Sequence, residues 1–352
     1  MNGTLLIYGA NGYTGELVAR EAVRQGLSPV LAGRSAARLG PLAAELGLEA
    51  RIFGLDDPGA LQRGLAGVAV VLHCAGPFSA TAAPMISACL AARAHYLDIT
   101  GEIDVFELAH ARDAEARAAG VLLCPGVGFD VVPTDCVAAT LKQALPDATR
   151  LALGFDSRSR MSRGTAATSV ESLGNGCRLR ENGELRRIPL GSRHRRIDFG
   201  DGEKLAMAIP WGDVSTAYRS TGIPNIEVYV PASPKVLGRM RWLDRLGWLV
   251  SSAPMQALLK RGIRAGAPGP TERERERSPV YVWGEAVNGA GDVRVARIRV
   301  ANGYTVTVHA ALAIARRLLR GGPTTAGFTT PAQLMGQDFV ATLPGSTRIV
   351  VS

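Results

Sequence analysis

Short apolar runs alternate with segments of helical periodicity from the start of the chain to about Pro125. The apolar runs predict buried strands at Leu5–Tyr8, Pro29–Ala32, Ala50–Phe53, Val68–Cys74, His95–Asp98 and Val121–Cys124. Apolar residues three or four positions apart predict helices at Gly15–Gln25, Arg38–Glu45, Pro58–Leu65, Ala83–Ala92 and Val105–Ala119. Such alternation is typical of a parallel sheet with crossover helices. We therefore predict a doubly wound α/β domain over residues 1–128.

The pattern changes after Gly126. A helical segment, Pro133–Leu145, precedes strand-like runs with long polar connections, at Thr149–Phe155, Ile226–Val230, Val280–Val287 and Val293–Val300. This arrangement predicts a second, α+β domain on a mainly antiparallel sheet, over residues 129–308, which serves substrate binding or dimerisation. A final helix, His309–Leu319, opens a C-terminal segment, 309–352, that we expect to pack back on the first domain.

Three glycines at three-residue spacing separate the first predicted strand from the first predicted helix. Gly9 suits a tight turn, Gly12 lets the backbone approach a pyrophosphate, and Gly15 permits close helix packing. A structural glycine turn is the alternative, but the surrounding βα units favour a dinucleotide-binding Rossmann domain. The residues expected to hold the cofactor in this loop are Gly9, Asn11, Gly12, Tyr13, Thr14 and Gly15.

The end of the second predicted strand favours NADP(H) over NAD(H). An NAD enzyme normally places a carboxylate there for the ribose hydroxyls, whereas this chain has Arg34 and Ser35. A guanidinium can form paired hydrogen bonds with a 2′-phosphate, and the hydroxyl of Ser35 can add another. The alternative is that Arg34 is an ordinary solvated residue at a helix start.

Later strand ends supply further candidates for the cofactor site. Asp56 follows the third predicted strand, near the place where a Rossmann domain holds adenine, while Asp57 before Pro58 is a typical helix N-cap. After the fourth strand, Ala75, Gly76 and Pro77 form a small-residue turn at the edge where ligands bind in open α/β sheets. A purely structural turn is compatible with this role.

Composition sets the class of protein. The 352 residues, 47% hydrophobic and 20% charged, suffice for about two globular domains. Five cysteines without a CxxC pair indicate reduced thiols, and neither they nor the five histidines have the spacing of a metal site. The sequence shows no signal-peptide pattern at its start and no long uncharged apolar run. We expect a cytoplasmic protein with no bound metal.

The net charge of +9 favours anionic partners, among them nucleic acids, acidic lipids, acyl-carrier proteins and a phosphorylated cofactor. Aromatic residues make up 5% of the chain, and no basic segment is interleaved with them in the manner of a nucleic-acid-binding module. We therefore expect no nucleic-acid partner. The charge does not choose among the other anions.

Several longer motifs resemble those of a known family. They are Tyr96–Glu102, Pro125–Asp135, Gly269–Arg275, Val282–Ala286 and Gly327–Ala332. Together with the glycine loop and Arg34, they resemble the saccharopine dehydrogenase-like oxidoreductases, particularly the branch that includes trans-acting enoyl reductases. The resemblance implies a Rossmann domain joined to a mixed α/β domain, and NADPH-dependent reduction. It does not identify the substrate, because one fold serves many substrates.

Three carboxylates are candidates for the catalytic site. Glu102, Asp130 and Asp135 lie in loops or at a helix start that should gather at the carboxyl edge of the sheet. Helix capping is an equally weighted role for Asp130 and Asp135. No tyrosine has a lysine four positions later, so the Tyr-xxx-Lys pair of short-chain dehydrogenases is absent and the sequence does not identify a proton donor.

Two basic segments raise the question of partners. Residues 235–264 combine apolar and basic residues, which suits a membrane-surface helix, a lid over an acyl chain, or helices packed on the domain or on a second copy. A cluster at Arg186, Arg187, Arg193, Arg195 and Arg196 can dock an acyl-carrier protein, although such a run is usually a solvated hairpin face. Peripheral membrane contact and a homodimer are thus hypotheses.

The leading functional hypothesis is an NADPH-dependent reductase of a C=C or C=N bond in a small hydrophobic or acyl-type metabolite. Two alternatives come from other classes. One is a non-catalytic NADP(H)-binding sensor or scaffold, and the other is a peripheral lipid-binding protein.

Overall fold

The computed structural model describes residues 3–166, 176–245, 255, 269–321 and 325–352. The chain divides into two compact units, Met1–Asp130 with Tyr304–Met335 and Val131–Gly303 with Gly336–Ser352. The segment 309–352, which the sequence suggested as one element on the first domain, is thus divided after Met335. Its last part belongs to the second unit because strand β16 (Val350–Val351) pairs there with β14 (Val293–Val300).

The first unit is built on a sheet that has seven parallel strands in the described residues. They are β1 (Thr4–Tyr8), β2 (Val30–Gly33), β3 (Ala50–Ile52), β4 (Val68–His73), β5 (His95–Asp98), β6 (Leu122–Cys124) and β15 (Gly327–Phe328). Their spatial order is β15-β6-β5-β4-β1-β2-β3, so the direction of winding reverses between β1 and β4. Ligands bind at such a reversal point in open α/β sheets.

Helices join these strands. They are α1 (Tyr13–Arg24), α2 (Ala36–Leu46), α3 (Pro58–Gly64), α4 (Phe78–Ala92), α5 (Ile103–Ala111), α6 (Asp113–Ala119), α11 (Gly303–Leu319) and α12 (Pro331–Met335). The predicted single helix Val105–Ala119 is two helices that meet at Arg112. Buried apolar residues of the central strands, among them Leu6, Val71 and Leu123, pack against these helices to form the core.

The second unit contains a mainly antiparallel sheet, which has nine strands within the described residues. Besides β14 and β16, its strands are β7 (Ala148–Ser157), β8 (Cys177–Glu181), β9 (Glu184–Ile188), β10 (His194–Asp198), β11 (Glu203–Ala208), β12 (Asn225–Pro231) and β13 (Val280–Asn288). Only the pairing of β12 with β7 is parallel among the described strands. The expected fold class is therefore confirmed in both units.

Helices α7 (Val132–Ala144), α8 (Asp213–Thr221), α9 (Pro234–Arg245) and α10 (Glu272–Arg277) complete the described part of this unit, with a 3-10 turn at Phe339–Thr342. A second buried cluster, which includes Phe199, Tyr229 and Trp283, gives the sheet its own apolar core. No helix in the described ranges is long and apolar enough to cross a membrane.

Candidate functional site

The glycine loop after β1 has a conformation that side chains would prevent. Gly9 has φ +82°, and a Cβ atom there would lie 2.8 Å from the Cβ of Ala75. A Cβ on Gly15 would lie 2.3 Å from the Gly9 carbonyl oxygen. Glycine at both positions therefore brings the turn and the start of α1 close together, and it brings the end of β1 against the loop after β4.

The loop is also attached to the end of β2. The N–H groups of Gly9 and Ala10 donate to the Ala32 carbonyl at 2.8 and 3.3 Å. A Cβ on Gly33 would lie 2.9 Å from Asn11 Oδ1, so the absence of that atom lets the Asn11 side chain rest on the strand end. Gly12, which has no side chain, is the N-cap of α1, and Tyr13, Thr14 and Gly15 form its first turn. The amino end of a helix attracts phosphate.

Arg34 and Ser35 follow β2 directly, and Ser35 is the N-cap of α2. The Arg34 side chain is exposed, and within the described ranges its guanidinium has no ion pair or hydrogen bond. Burial raises the pKa of the neighbouring Tyr8 hydroxyl, while the charge of Arg34 lowers it and that of Asp56 raises it. An exposed guanidinium that no carboxylate neutralises fits a 2′-phosphate.

The two aspartates after β3 have different roles. Asp57 is the N-cap of α3 and accepts hydrogen bonds from the N–H groups of Gly59 and Ala60, as the sequence suggested. Asp56 is exposed, and its Oδ1 lies 2.3 Å from the place where a Cβ on Gly54 would be. Its side chain therefore folds back over the strand end near Tyr8, and its contact with adenine stays a prediction.

Thr81 holds the turn formed by Ala75, Gly76 and Pro77 through hydrogen bonds. The Thr81 hydroxyl lies 2.8 Å from the Ala75 carbonyl and 3.0 Å from the Pro77 carbonyl, both of which are acceptors. His73 Nε2 lies 3.0 Å from the same hydroxyl. Burial lowers the pKa of His73 to about 3, so the imidazole is neutral and its N–H can donate to Thr81. His73 and Thr81 therefore fix the turn through neutral hydrogen-bonding groups.

Glu102 binds the start of α4 through both carboxylate oxygens. Oε1 accepts from the Phe78 N–H at 2.9 Å, and Oε2 accepts from the Ser79 N–H at 2.6 Å. This contact explains why α4 begins at Phe78 rather than at the predicted Ala83, since a carboxylate from another loop satisfies its first donors. Glu102 therefore lies at the positive end of the α4 helix dipole.

Asp130 lies next to Glu102, and its pKa is raised. A Cβ on Gly101 would lie 3.0 Å from Asp130 Oδ2, so the aspartate packs directly on the loop that carries Glu102. Loss of hydration on burial, and secondarily the negative charge of Glu102, raise the pKa of Asp130 to about 7. A carboxyl group with a pKa raised by burial and by a neighbouring carboxylate is a common basis for acid–base chemistry.

Asp98, which the sequence suggested to be a strand residue, connects the loops that carry these two carboxylates. One of its oxygens accepts from the Tyr96 hydroxyl at 2.6 Å, and the other accepts from the N–H groups of Thr100 and Gly126 at 3.0 and 2.8 Å. Burial raises the pKa of Asp98 to about 6, although these hydrogen bonds oppose the rise. The side chain is fully buried and acts as a clamp.

Asp135, the third predicted catalytic carboxylate, lies in the second unit on α7. It is fully buried and accepts a hydrogen bond from the Ser220 hydroxyl of α8. This contact joins two helices of that unit. A catalytic role for Asp135 stays a prediction.

Two further residues of the first unit were missed, Tyr304 and Thr307. Both lie near the start of α11, far along the chain from the other loops. The Tyr304 ring packs edge-on against Tyr13 with centroids 5.1 Å apart, and Thr307 Oγ1 accepts from the Phe129 N–H at 3.0 Å. Their sequence neighbourhood reads as an ordinary helix, so no local signal could have identified them.

Many charges of the basic cluster are paired within the second unit. Arg195 binds Glu285 through two hydrogen bonds at 2.8 and 3.0 Å. Arg186 pairs with Glu184, Arg193 with Glu181, and Arg196 with Glu203. Docking of a carrier protein here stays a prediction. The described residues contain no group of three or more potential metal ligands.

The segment 235–264 falls largely outside the described residues. The part up to Arg245 belongs to α9, on which the Trp242 side chain is exposed, and Met255 is also described. Whether this segment contacts a membrane, a lid position or a second copy therefore stays a prediction.

Comparison with known proteins agrees with this geometry. A model of the saccharopine dehydrogenase NADP binding domain matches residues 5–124. The chain is 33% identical over 142 residues to a trans-acting enoyl reductase of Mycobacterium tuberculosis, an alignment that covers 37% of this chain and 33% of that protein. It is 32% identical over 153 residues to a human saccharopine dehydrogenase-like oxidoreductase, covering 37% and 35%. The chain thus spans about a third of the length of these relatives.

A solved structure matches over the whole length. Apo saccharopine dehydrogenase (L-Glu forming) from Saccharomyces cerevisiae superimposes with a TM-score of 0.69 over 99% of each chain, at 11% sequence identity. At that identity the match shows the shared fold. The resemblance of residues 5–124 to the saccharopine dehydrogenase NADP binding domain and the expected NADP(H) cofactor are confirmed by these matches.

Proposed function

We propose that this protein is an NADPH-dependent reductase of a C=C or C=N bond in a hydrophobic, acyl-type metabolite, with Asp130 as the proton donor. The observation that carries the proposal is the pair of Glu102 and Asp130 at the edge of the sheet that also carries the NADP loop. In this proposal Asp130 is the proton source that the sequence left unassigned. The absence of a Tyr-xxx-Lys pair in the sequence is consistent with a carboxylic acid in that role.

The two carboxyl groups divide the work. Glu102 accepts hydrogen bonds from the Phe78 and Ser79 N–H groups through its two carboxylate oxygens. Its charge helps to keep a proton on Asp130, whose pKa of about 7 suits a general acid at neutral pH. Asp98 holds the two loops together through Thr100 and Gly126. It is a positioning residue.

Reduction of either bond requires one hydride and one proton. The glycine loop and Arg34 would hold NADPH, which when bound would supply the hydride for the electrophilic carbon. The proton of Asp130 passes to the α-carbon of an enoyl group or to the nitrogen of an imine, and the π bond is lost. Asp130 is left ionised and regains its proton from water. The balance closes without a metal ion.

The relatives favour the enoyl class as the first substrate to test. One is a trans-acting enoyl reductase, and another is a saccharopine dehydrogenase-like oxidoreductase, each matched over about a third of its length. We propose an enoyl thioester as substrate and an imine as the second choice.

The decisive experiment follows NADPH oxidation by absorbance. Purified protein is mixed with trans-2-enoyl thioesters of four to twelve carbons and, separately, with cyclic imines, using NADPH or NADH. We expect oxidation of NADPH with at least one class, and a loss of about 10²- to 10⁴-fold in Asp130→Asn. The rate should fall as the pH rises through about 7, because Asp130 then loses its proton.

The matched control is Asp104→Asn, an exposed carboxylate on the neighbouring helix α5. It should leave the rate unchanged. If NADPH binds tightly but no probe of either class is reduced, the sensor or scaffold hypothesis replaces the reductase. If Asp130→Asn keeps the full rate on a reduced probe, the protein is a reductase with a different proton donor.

A further inference from the structure

The start of helix α11 contacts the segment that carries Asp130. Thr307 is buried, and its Oγ1 accepts a hydrogen bond from the N–H of Phe129, the residue before the proton donor. A Cβ on Gly128 would lie 2.9 Å from Thr307 Cγ2, so glycine at that position allows the close approach. A residue 178 positions away along the chain therefore fixes the backbone next to Asp130.

The same helix is attached to α1, which begins in the glycine loop. Tyr304 packs edge-on against Tyr13 at the first turn of α1. Farther along, His309 Nδ1 lies 3.8 Å from Glu21 Oε1, and Arg316 donates to the side chain of Gln25 at 2.8 Å. Because Tyr304 and Thr307 are three residues apart, they share one face of α11.

We propose that Tyr304 and Thr307 form a positioning element that holds the glycine loop and the Asp130 segment in register, and so couples cofactor binding to the proton donor. This inference rests on the proposed role of Asp130. Thr307 fixes the backbone next to Asp130 and so limits the access of water to the Asp130 carboxyl group. Tyr304 packs on Tyr13, so that a change in the position of the glycine loop reaches α11. Neither residue is proposed to touch the substrate.

Two nearby carboxylates act on Asp130 or on the loop that carries it. Glu102, at the start of α5, adds to the rise in the pKa of Asp130. Asp98, from β5, binds the backbone N–H of Gly126 on the same loop as Phe129. If the Thr307 contact is lost, the loop can move away from Gly101 toward water. The pKa of Asp130 should then fall toward the ordinary aspartate value of about 3.9.

The first test measures the protonation of Asp130 without any substrate. Protein labelled with 13C at aspartate Cγ is titrated by NMR, and Asp130→Asn identifies the resonance. In Thr307→Val, which keeps the shape but removes the acceptor, we expect the midpoint to fall by about one pH unit or more. Thr307→Ser, which keeps the hydroxyl, should restore most of the wild-type midpoint. Thr305→Val, the same change on a neighbouring position, is the matched control.

The Asp130 midpoint in Thr307→Val decides whether Thr307 has the proposed role. An unchanged midpoint in folded Thr307→Val overturns the role of Thr307. If that variant does not fold, Thr307→Ala removes the same acceptor without a second methyl group and is read in the same way. If no probe is reduced by the wild-type protein but Thr307→Val still shifts the midpoint, the proposed reductase function fails while the positioning role stands.

The second test concerns coupling to the cofactor. NADPH is titrated by nicotinamide fluorescence, and the midpoint of Asp130 is measured with and without saturating NADPH. In Tyr304→Ala we expect NADPH affinity to fall by about tenfold and the NADPH-induced change in midpoint to be lost, whereas Tyr304→Phe keeps both because it keeps the ring. Wild-type affinity together with a wild-type change in midpoint in Tyr304→Ala overturns the coupling.

Discussion

Charged residues are paired differently in two regions, the carboxyl edge of the first sheet and the face of the second sheet. At the first, Arg34 has no ion pair within the described ranges, and Asp130 has a pKa raised to about 7. On the second, Arg195 forms a two-pronged pair with Glu285, and Lys204 lies 2.5 Å from a carboxylate oxygen of Asp156. These pairs neutralise charge within the second sheet, while the first edge leaves charge and proton-binding capacity for a ligand.

This difference explains why counting basic residues misleads. The cluster between Arg186 and Arg196 suggested a docking surface, yet four of its members pair with glutamates of the same unit. A single arginine at a strand end has more chemical consequence, because exposed pairs contribute little and an unneutralised guanidinium can bind a phosphate.

The largest expected effect comes from a change in the glycine loop at the carboxyl edge of the first sheet. In Gly15→Ala the new methyl group would lie 2.3 Å from the Gly9 carbonyl oxygen, so the loop must shift. We expect NADPH affinity to fall by at least about 100-fold and the unfolding free energy to fall by about 2 to 3 kcal/mol. Fluorescence titration and urea unfolding measure the two effects.

The matched control is Gly40→Ala within α2, where a Cβ has no neighbour within 4 Å. Alanine there should leave NADPH affinity unchanged and stabilise the protein by about 0.5 to 1 kcal/mol, because glycine is unfavourable in a helix. Similar losses of NADPH affinity in both variants would contradict a specific role for Gly15.

The next effect concerns the free energy of unfolding, which the raised pKa of Asp130 lowers at neutral pH and above. Its folded pKa of about 7 exceeds the ordinary value of about 3.9, so between these pH values the folded state keeps a proton that the unfolded chain has lost. Stability therefore falls as pH rises from about 4 to about 7. We expect Asp130→Asn to be more stable than wild type by about 2 to 4 kcal/mol at pH 8 and equal to it below pH 4. A gain in stability that is independent of pH would contradict this.

A smaller effect separates the two cofactors. Arg34→Ala should weaken NADPH binding by about 10- to 100-fold and leave NADH binding unchanged, because only NADPH carries the 2′-phosphate. Arg24→Ala, which removes an exposed guanidinium that pairs with the buried Glu21 on α1, is the control and should change neither affinity. Equal losses for NADPH and NADH in Arg34→Ala would show that this residue does not bind the 2′-phosphate.

The smallest effect lies in the second unit. A double-mutant cycle on Arg195 and Glu285 should give a coupling of about 1 kcal/mol in urea unfolding, since the pair is partly exposed but bidentate. The exposed pair of Arg186 and Glu184 should give less than about 0.5 kcal/mol. NADPH affinity should be unchanged in all four single variants. A change in that affinity would remove the contrast between the two regions.

Most of the first unit could be predicted because its strands are continuous apolar runs. In the second unit, β9 and β10 were missed, since their exposed charged residues obscure the alternation expected of a strand. The start of α4 was also missed, because Glu102 caps it from 24 positions away. Strand β15 has two residues and is defined by its pairing with β6, which no local pattern reveals.

The sequence by itself determined the glycine loop, the arginine after β2 and the order of strands and helices in the first unit, because these depend on local backbone freedom and on hydrophobic periodicity. Only the tertiary structure decided how the carboxylates differ. Glu102 binds the amino end of a helix, whereas Asp130 loses its hydration and its pKa rises, so folding gives chemically similar side chains different surroundings. Hydration and neighbouring charge are properties of the folded chain, and no residue type carries them alone.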